Sequence, residues 1–276
     1  MIETSSLRLT SIYVLVLSFV FAILSFFNIS YQFYIWEIFV DIKIVLLPLF
    51  LLFLRNEGKF RFSSVFLRKW DVKKNLFWFF IPLVLYILTF VVGVLVGEVS
   101  VDIPENAETL ILATIFDIPA IFVFSVTSIF IEEIFFRAVL VNSFEKHYGK
   151  IKAIVITSVL FAFFNLSEVV SYEARSLLTV SLLVIYFLSV GTITSVLVLK
   201  YHTIWLGYSF RIFLATVPML ILPSFFVDSD SFFKTKNFLF FSEGLFFSLL
   251  VLCVCIIVMF KVNRNVADNN SGQLIA

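Results

Sequence analysis

The chain has little charge and few residues that break helices. Of its 276 residues, 14% are charged and 61% are hydrophobic, whereas soluble domains carry about 25% charged and about 45–50% apolar residues. Lysine plus arginine number 20 against 19 acidic residues, so the net charge is +1 and no basic surface for a nucleic acid is expected. Eight glycines and six prolines leave little room for flexible linkers. These shortages exclude an ordinary soluble enzyme and a nucleic-acid-binding protein, and they make the lipid bilayer the expected partner.

Cysteine and histidine are also scarce, with two of each. Cys253 and Cys255 are two positions apart on one predicted helix, so they point to different faces and cannot form an ordinary disulfide or a metal pair. His147 and His202 fall in predicted loops between helices, where the simplest interpretation is an interfacial polar residue. With no buried pair of these ligands, we expect neither a metal ion nor a cofactor.

Long apolar runs are what the sequence has in abundance. A hydrocarbon core of about 30 Å needs about 20 apolar helical residues per crossing, and eight segments meet that length. They are residues 9–28, 33–54, 76–97, 110–142, 151–170, 177–199, 203–227 and 238–260. The fourth is longer than one crossing needs, which predicts tilt, a leading interfacial stretch or a kink near Pro119. The predicted fold class is therefore all-α, a polytopic membrane helix bundle of about eight transmembrane helices.

The distribution of lysine and arginine predicts the orientation of this bundle. If the N-terminus is inside, fourteen of the twenty lie in inner segments, three lie in outer segments and three lie within spans. Because lysine and arginine are retained on the cytoplasmic side, both termini are expected to be cytoplasmic. Residues 1–262 then form a single transmembrane domain, and residues 263–276 form a short polar cytoplasmic tail.

The fourth predicted span contains two adjacent acids and a base. An ionisable side chain at mid-depth costs about 2.5–3.5 kcal/mol or more, so each one needs a partner or a purpose. Glu133 and Arg137 are four apart with the acid first, a spacing that lets them meet on one helical face. Glu132 is turned about 100° away and aims elsewhere. This arrangement allows one acid to be structural while the other is free for chemistry. A charged patch near the cytoplasmic end that only snorkels or pairs is an equal alternative.

These residues also resemble a known family. The run Glu132-Glu133-Ile134-Phe135-Phe136-Arg137 is similar to the E-E-x-x-x-R signature of the CPBP family of intramembrane endopeptidases, also called the CAAX-protease or Abi family. Residues 158–166, with Phe161 and Asn165, resemble its second motif, F-x-x-x-H. Residues 203–211 resemble the run that leads into its third motif, H-x-x-x-N. The resemblance covers roughly residues 115–220.

The resemblance implies a mechanism together with departures from it. In the family, the first Glu and the second-motif His activate a water that attacks the scissile amide, and the third-motif His and Asn stabilise the oxyanion. Glu132 falls on the catalytic carboxylate, while Glu133 and Arg137 fall on a supporting pair. The departures are Asn165 at the second-motif His, Arg211 at the third-motif His and Ala215 at its Asn.

The departures remove groups on which the chemistry depends. A positioned general base or acid contributes roughly 10²–10⁴ in rate, and one oxyanion donor roughly 10²–10³. Asn165 forms hydrogen bonds but cannot shuttle a proton. Arg211 is able to donate to an oxyanion, yet its permanent charge is equally suited to capture by Glu132 as a salt bridge. We therefore favour a site converted to a structural ion-pair network.

The predicted function is a catalytically impaired CAAX-protease-like membrane protein, a pseudoenzyme that acts as a scaffold or regulator. Its expected partner is another membrane protein or a hydrophobic or prenylated peptide. One alternative is an active intramembrane glutamic endopeptidase that uses Glu132, with Arg211 as the oxyanion donor. A small-solute transporter is a second alternative, although repeated halves and paired Gly/Pro-broken spans are missing. The 38 phenylalanines suggest a low-GC bacterial source, so the expected location is the bacterial plasma membrane.

Overall fold

The computed structural model describes residues 4–27, 45–50, 52, 71–97, 99–101, 123, 126–170, 177–225, 233–235 and 247–259. Within these stretches the chain is helical apart from two strands of three residues, which confirms the all-α prediction. The helices are α1 (Thr4–Phe27), α2 (45–50), α3 (Val72–Leu95), α4 (126–148), α5 (Lys150–Val170), α6 (Leu177–Tyr201), α7 (Trp205–Phe225) and α8 (Phe247–Met259). The strands are β1 (Val99–Val101) and β2 (Phe233–Thr235).

The helices follow the predicted apolar segments closely. Each of the eight segments contains helix where the structure describes it, and α3, α5, α6 and α7 begin and end within four residues of their predicted bounds. Residues 33–44, 110–122 and 238–246 of three predicted segments lie outside the described residues, as does the tail at 263–276. The expected kink near Pro119 therefore stays a prediction.

Two of the described helices are long and apolar enough to cross a membrane. They are α3, with a mean hydropathy of 2.5, and the part of α6 at Val180–Tyr201, with a mean hydropathy of 2.4. At 1.5 Å per residue, the 24 residues of α3 extend for about 36 Å, more than the thickness of a hydrocarbon core. Only 22% of the α3 window is buried inside the protein, against 72% for α6. The outer face of α3 is therefore apolar surface that lipid is suited to cover.

A defined cap marks the start of α3. The side chain of Asp71 accepts a hydrogen bond of 3.2 Å from the backbone N–H of Lys74, and its carboxylate lies 2.8 Å from the Lys74 ammonium. The hydrogen bond from that ammonium, followed by the backbone hydrogen bond, lowers the pKa of the Asp71 carboxyl below its ordinary value. The side-chain nitrogen of Asn75 donates to the Asp71 carbonyl at 2.8 Å. The first turn of α3 is thus fixed by polar groups at its solvent end.

The middle of α4 departs from α-helical geometry. Ile134–Val141 form a π-helix, with α-helical residues on both sides. The side-chain nitrogen of Asn142 donates to the Ala138 carbonyl at 2.7 Å and so provides a donor near the end of the π segment. π-Helical segments are rare and occur frequently at functional sites. Because a π-helix bonds residues five apart, residues four apart within it do not align as they do in an α-helix.

Helices α5 and α6 pack as an antiparallel pair. The hydroxyls of Thr157 and Ser195 are 3.3 Å apart, and Thr192 donates to the hydroxyl of Ser158 at 3.2 Å. A Cβ atom on Gly191 would lie 3.1 Å from the Cα of Ser158, so glycine permits this close approach. Small and hydroxyl-bearing side chains let membrane helices approach and hydrogen-bond across their interface.

Helices α3 and α7 run in the same direction. Ser209 donates to the side-chain oxygen of Asn75 at 3.0 Å, and Trp78 contacts Phe210 edge to face. Later in both helices, the Tyr86 hydroxyl of α3 donates to the Leu214 carbonyl of α7, so the contacts advance in the same direction along the two chains. Strands β1 and β2, which follow α3 and α7 in the chain, pair antiparallel beyond the far ends of these helices. The chain after α3 and the chain after α7 therefore meet at one end of the bundle.

Candidate functional site

Four buried charges from α4 and α7 meet in an ion-pair cluster, which consists of Glu132, Glu133, Arg137 and Arg211. Glu133 and Arg137 are completely buried, whereas Glu132 and Arg211 keep 6% and 9% of their exposure. Two carboxylates and two guanidiniums give the cluster a formal charge of zero. Leaving one charge of a buried pair without its partner costs about 3–5 kcal/mol, so this balance is what makes the burial tolerable.

The guanidinium of Arg211 binds both acids at once. Its Nη2 atom donates to Glu132 Oε2 at 2.7 Å, and its Nη1 atom donates to Glu133 Oε1 at 3.1 Å. A planar fork of donors is suited to such a double contact. The predicted salt bridge between Arg211 and Glu132 is therefore present. One long side chain from α7 spans the angle between the two acids, so both are paired, rather than one being structural and the other free.

The pair within α4 is looser than its spacing predicts. The Nε atom of Arg137 lies 3.8 Å from Glu133 Oε1, an ion pair but too long for a hydrogen bond. The same Nε atom donates instead to the hydroxyl of Thr194 on α6 at 2.6 Å. The i,i+4 rule assumes α-helical geometry, and the π segment contains Arg137. Its guanidinium is therefore held as much by α6 as by its own helix.

Both arginines lie on a single aromatic ring. The Cζ atom of Arg137 is 4.7 Å from the centroid of the Phe161 ring, and that of Arg211 is 4.6 Å from it. Phe161 is 1% exposed and is contacted edge to face by Phe136 and Phe187. Cation–π contacts contribute about 2 kcal/mol or more when they are desolvated. Phe161 is therefore a fixed platform that α5 provides for the guanidiniums of the cluster.

Asn165 lies one turn beyond this platform. It is 3% exposed, and its side-chain nitrogen donates to the Phe161 carbonyl at 2.9 Å. The structure thus brings Glu132 and Arg211 into direct contact and gives the amide of Asn165 a partner on its own helix. A functional role for Asn165 stays a prediction. Ala215 follows Arg211 by one turn of α7 and is half-buried.

Thr194 and Gly207 support the cluster, although neither is marked by a motif in the sequence. A Cβ atom on Gly207 would lie 2.9 Å from Glu133 Oε2 and 3.2 Å from the Cβ of Thr194. Glycine at this position lets α7 approach the carboxylate closely. The available signal was a glycine inside an apolar helical run, which often has a packing reason. Nothing in the sequence distinguishes Thr194 from the other hydroxyl residues of α6.

Some polar atoms of the cluster have no hydrogen-bond partner among the described residues. Glu133 Oε2, Arg137 Nη1 and Arg137 Nη2 are buried and have no hydrogen-bond partner within the described part of the chain. A buried polar group in this state costs about 1–3 kcal/mol. The stacking of Arg137 on Phe161 offsets part of that cost. Hydrogen bonding is therefore more complete around Arg211 than around Arg137.

The two histidines and the two cysteines are not members of the ion-pair cluster. His147 is in the last turn of α4, with its Nδ1 atom 2.8 Å from the Ser143 carbonyl oxygen, so the loop predicted there is wrong. His202 does lie in a turn, with a φ of 50°. Cys253 is exposed and Cys255 is buried, as their opposite faces predict. Across the described ranges, no group of three or more His, Cys, Asp or Glu residues is placed to hold a metal ion.

Apolar helices thus enclose a buried core of two glutamates and two arginines, and the part of the chain that holds this core resembles a known family. Residues 114–217 match the family model described as "Rce1-like: Type II CAAX prenyl endopeptidase Rce1-like". The match confirms the family resemblance, and it contains all four members of the ion-pair cluster together with Phe161, Thr194 and Gly207. No match was found among curated proteins or among solved structures.

Proposed function

We propose that this protein is a catalytically impaired relative of the CAAX prenyl endopeptidases that acts as a membrane scaffold or regulator. Its ligand is another membrane protein or a hydrophobic or prenylated peptide. One observation carries the proposal: Arg211 occupies the position of a motif histidine and holds Glu132 at 2.7 Å and Glu133 at 3.1 Å. The carboxylate that the family resemblance assigns to water activation is therefore engaged in a salt bridge.

The chemistry of the replaced groups supports this proposal. An asparagine in place of the second-motif histidine cannot accept and return a proton near neutral pH, and the side chain of Asn165 donates within its own helix. An alanine in place of the third-motif asparagine provides no oxyanion donor. Losing a proton shuttle removes about 10²–10⁴ in rate, and losing an oxyanion donor about 10²–10³. Peptide hydrolysis depends on both contributions.

A peptidase assay tests the proposal directly. The purified full-length protein, reconstituted in lipid, is incubated with prenylated and transmembrane peptides, and new termini are detected by mass spectrometry. The proposal expects no cleavage above the level of Glu132→Ala. Cleavage by the wild-type protein that disappears in Glu132→Ala, with both proteins folded, would overturn it.

Restoring the family residues sharpens the same test. A triple variant returns the groups that the motifs specify and removes the salt bridge between Arg211 and Glu132. Its substitutions are Asn165→His, Arg211→His and Ala215→Asn. We expect this triple variant to gain cleavage that depends on Glu132. The control is Arg211→His alone. It removes the salt bridge to Glu132 without restoring the proton-transferring histidine at position 165, and it is expected to remain inactive.

An active glutamic endopeptidase is the second candidate function, and one observation favours it. The side chains of Glu132 and Arg211 retain 8% and 10% exposure, whereas those of Glu133 and Arg137 retain none. The outer edge of the cluster is thus the part that a substrate amide is able to reach. In this candidate Arg211 is the oxyanion donor, so Arg211→Ala abolishes cleavage in a folded protein. Under the scaffold proposal, Arg211→Ala changes no cleavage because there is none to lose.

We further propose eight membrane spans with both termini cytoplasmic, a single transmembrane domain over residues 1–262 and a polar tail over 263–276, in a bacterial plasma membrane. The parallel course of α3 and α7 and the pairing of β1 with β2 support an odd number of crossings between these helices, as α4, α5 and α6 provide. Reporter fusions at residues 70, 98, 174 and 270 test the topology. Inner signals are expected at 70 and 270, and outer signals at 98 and 174; the reverse at any of these positions would contradict it.

A further inference from the structure

One end of the bundle is strongly basic. The first turns of α3 and α5 and the last turns of α4 and α6 carry six lysines against two acids, Asp71 and Glu145. The lysines are Lys73, Lys74, Lys146, Lys150, Lys152 and Lys200. Five of the six are exposed, and Lys200 is half-buried. A formal excess of four positive charges is therefore concentrated at one end of the described helices.

Packing contacts join these helix ends. Gly149 alone separates α4 from α5, so Lys146 and Lys150 are close in the chain. Ile154 of α5 and Leu199 of α6 belong to one buried apolar cluster. The Lys74 ammonium of α3 lies over the ring of Tyr201, the last residue of α6. The basic residues consequently surround the same end.

Tyr201 is the point where two of these lysines converge. The Nζ atoms of Lys74 and Lys200 lie 5.7 Å and 5.4 Å from the centroid of its ring. The tyrosine is 36% exposed, so the ring has a face toward the surroundings. One carboxylate, that of Asp71, is 2.8 Å from the Lys74 ammonium. The ring thus has two ammonium groups beside it, and the carboxylate of Asp71 is paired with the one of Lys74. The charge of Lys200 is therefore available for an external anion.

The position of these groups at the ends of apolar helices indicates which kind of anion binds there. Helices α3 and α6 are the two described helices that are long and apolar enough to cross a bilayer, and α3 begins and α6 ends at this group. Tyrosine rings at the ends of membrane helices lie at the level of the lipid headgroups, and basic pockets between such helices bind anionic headgroups. The apolar outer face of α3, with Phe77 62% and Phe80 48% exposed, lies next to the lysines on the same helix. A lipid is able to satisfy both surfaces, with acyl chains on α3 and its phosphate at the lysines.

We propose that Lys74, Lys200 and Tyr201 form a binding site for the headgroup of an anionic phospholipid. The inference goes beyond the proposed function and rests only on the placement of α3 and α6 in a bilayer. It holds whether or not the protein cleaves peptides, so a positive peptidase assay leaves it untouched.

The test measures lipid-dependent stability of the full-length protein. Protein in phosphatidylcholine-containing micelles is titrated with phosphatidylglycerol, and the midpoint of thermal unfolding gives an apparent lipid affinity. We expect a saturable rise in the midpoint with phosphatidylglycerol and none with added phosphatidylcholine. Since one lysine near an anionic surface changes affinity about fivefold, Lys74→Gln with Lys200→Gln should weaken it about 25-fold.

Matched variants separate a site from a diffuse charge effect. Lys150→Gln with Lys152→Gln removes two exposed lysines from the same end and changes the net charge equally, and it should alter the affinity less than threefold. Lys200→Gln alone leaves the Asp71–Lys74 ion pair intact and should lose about fivefold. This single variant repeats the test if the Lys74 change disturbs the start of α3.

Three results would overturn the proposal. The first is the absence of a saturable response to phosphatidylglycerol. The second is an equal loss in the two double variants, which would indicate non-specific attraction. The third is an equal response to inorganic phosphate at the same concentration, which would indicate a small-anion site rather than a lipid site.

Discussion

Helices α3 and α6 are alike in length and hydropathy but differ in what they contact. Their mean hydropathies are 2.5 and 2.4, yet 22% of one window and 72% of the other are buried inside the protein. On α3, large side chains such as Phe77, Phe80 and Ile87 are exposed. On α6, Gly191, Thr194 and Ser195 are buried against α4, α5 and α7. Apolar content therefore identifies a membrane helix, whereas small and hydroxyl residues identify the helix at the centre.

The difference has a functional consequence. Because α6 provides a hydroxyl to Arg137 and a glycine beside Phe161, it fixes the arginine side of the ion-pair cluster. Helix α3 contributes a polar end and a lipid-facing surface instead. Substitutions on or against α6 should thus change the cluster, and substitutions on the outer face of α3 should leave it unchanged.

The largest expected effect comes from removing the charge that is bound to α6. Arg137→Met leaves two buried carboxylates with only Arg211, and breaking a buried pair in this way costs about 3–5 kcal/mol. The measurement is the free energy of unfolding from a denaturant titration in mixed micelles. Glu133→Gln with Arg137→Met restores neutrality and should recover at least half of the loss. Additive losses in the double variant would contradict the charge-balance account.

The next effect comes from filling the close contact between α5 and α6. Gly191→Leu forces a side chain into a space where even a Cβ lies 3.1 Å from Ser158 Cα and 3.2 Å from the Phe161 ring. Overpacking of this kind costs about 1–3 kcal/mol, and we expect a value near the upper end. The control is Val84→Leu on α3, where the side chain is 53% exposed, with an expected change within about 0.5 kcal/mol. Equal losses in the two variants would mean that α3 is as enclosed as α6.

The sequence predicted the helices well because hydrophobic runs of membrane length carry a strong signal. It also predicted which charges are buried, because Glu132, Glu133 and Arg137 interrupt such a run. It did not predict that Arg211 would bind both acids, since the reach of a guanidinium across helices depends on packing. The π-helix at Ile134–Val141 was not predicted either, because the sequence of that segment has no pattern that distinguishes π-helical from α-helical geometry.

The platform beneath the arginines gives a smaller, more specific test. Phe161→Leu keeps an apolar side chain but removes the ring on which Arg137 and Arg211 stack. The control is Phe144→Leu, which removes a ring that is equally enclosed at 4% exposure and contacts Tyr148. We expect Phe161→Leu to cost about 2 kcal/mol more than the control in free energy of unfolding. A difference below about 0.5 kcal/mol, the ordinary scatter between independent sites, would show that the ring acts only by filling space.

The smallest effect concerns the polar start of α3, which the comparison with α6 places in water rather than in the core. The pKa of Asp71 is lowered in the folded protein by its hydrogen bonds with Lys74, so its ionised form stabilises the fold at pH values above its unfolded pKa of about 3.9. That contribution is lost as the pH falls through the lower, folded pKa. Asp71→Asn retains a capping oxygen but does not titrate. The wild-type protein should therefore be slightly more stable than Asp71→Asn at neutral pH, with the difference in unfolding midpoint closing below about pH 4. A difference that persists unchanged at pH 3 would mean that the carboxylate of Asp71 is not responsible, and that the start of α3 is held by packing in the same way as the middle of α6.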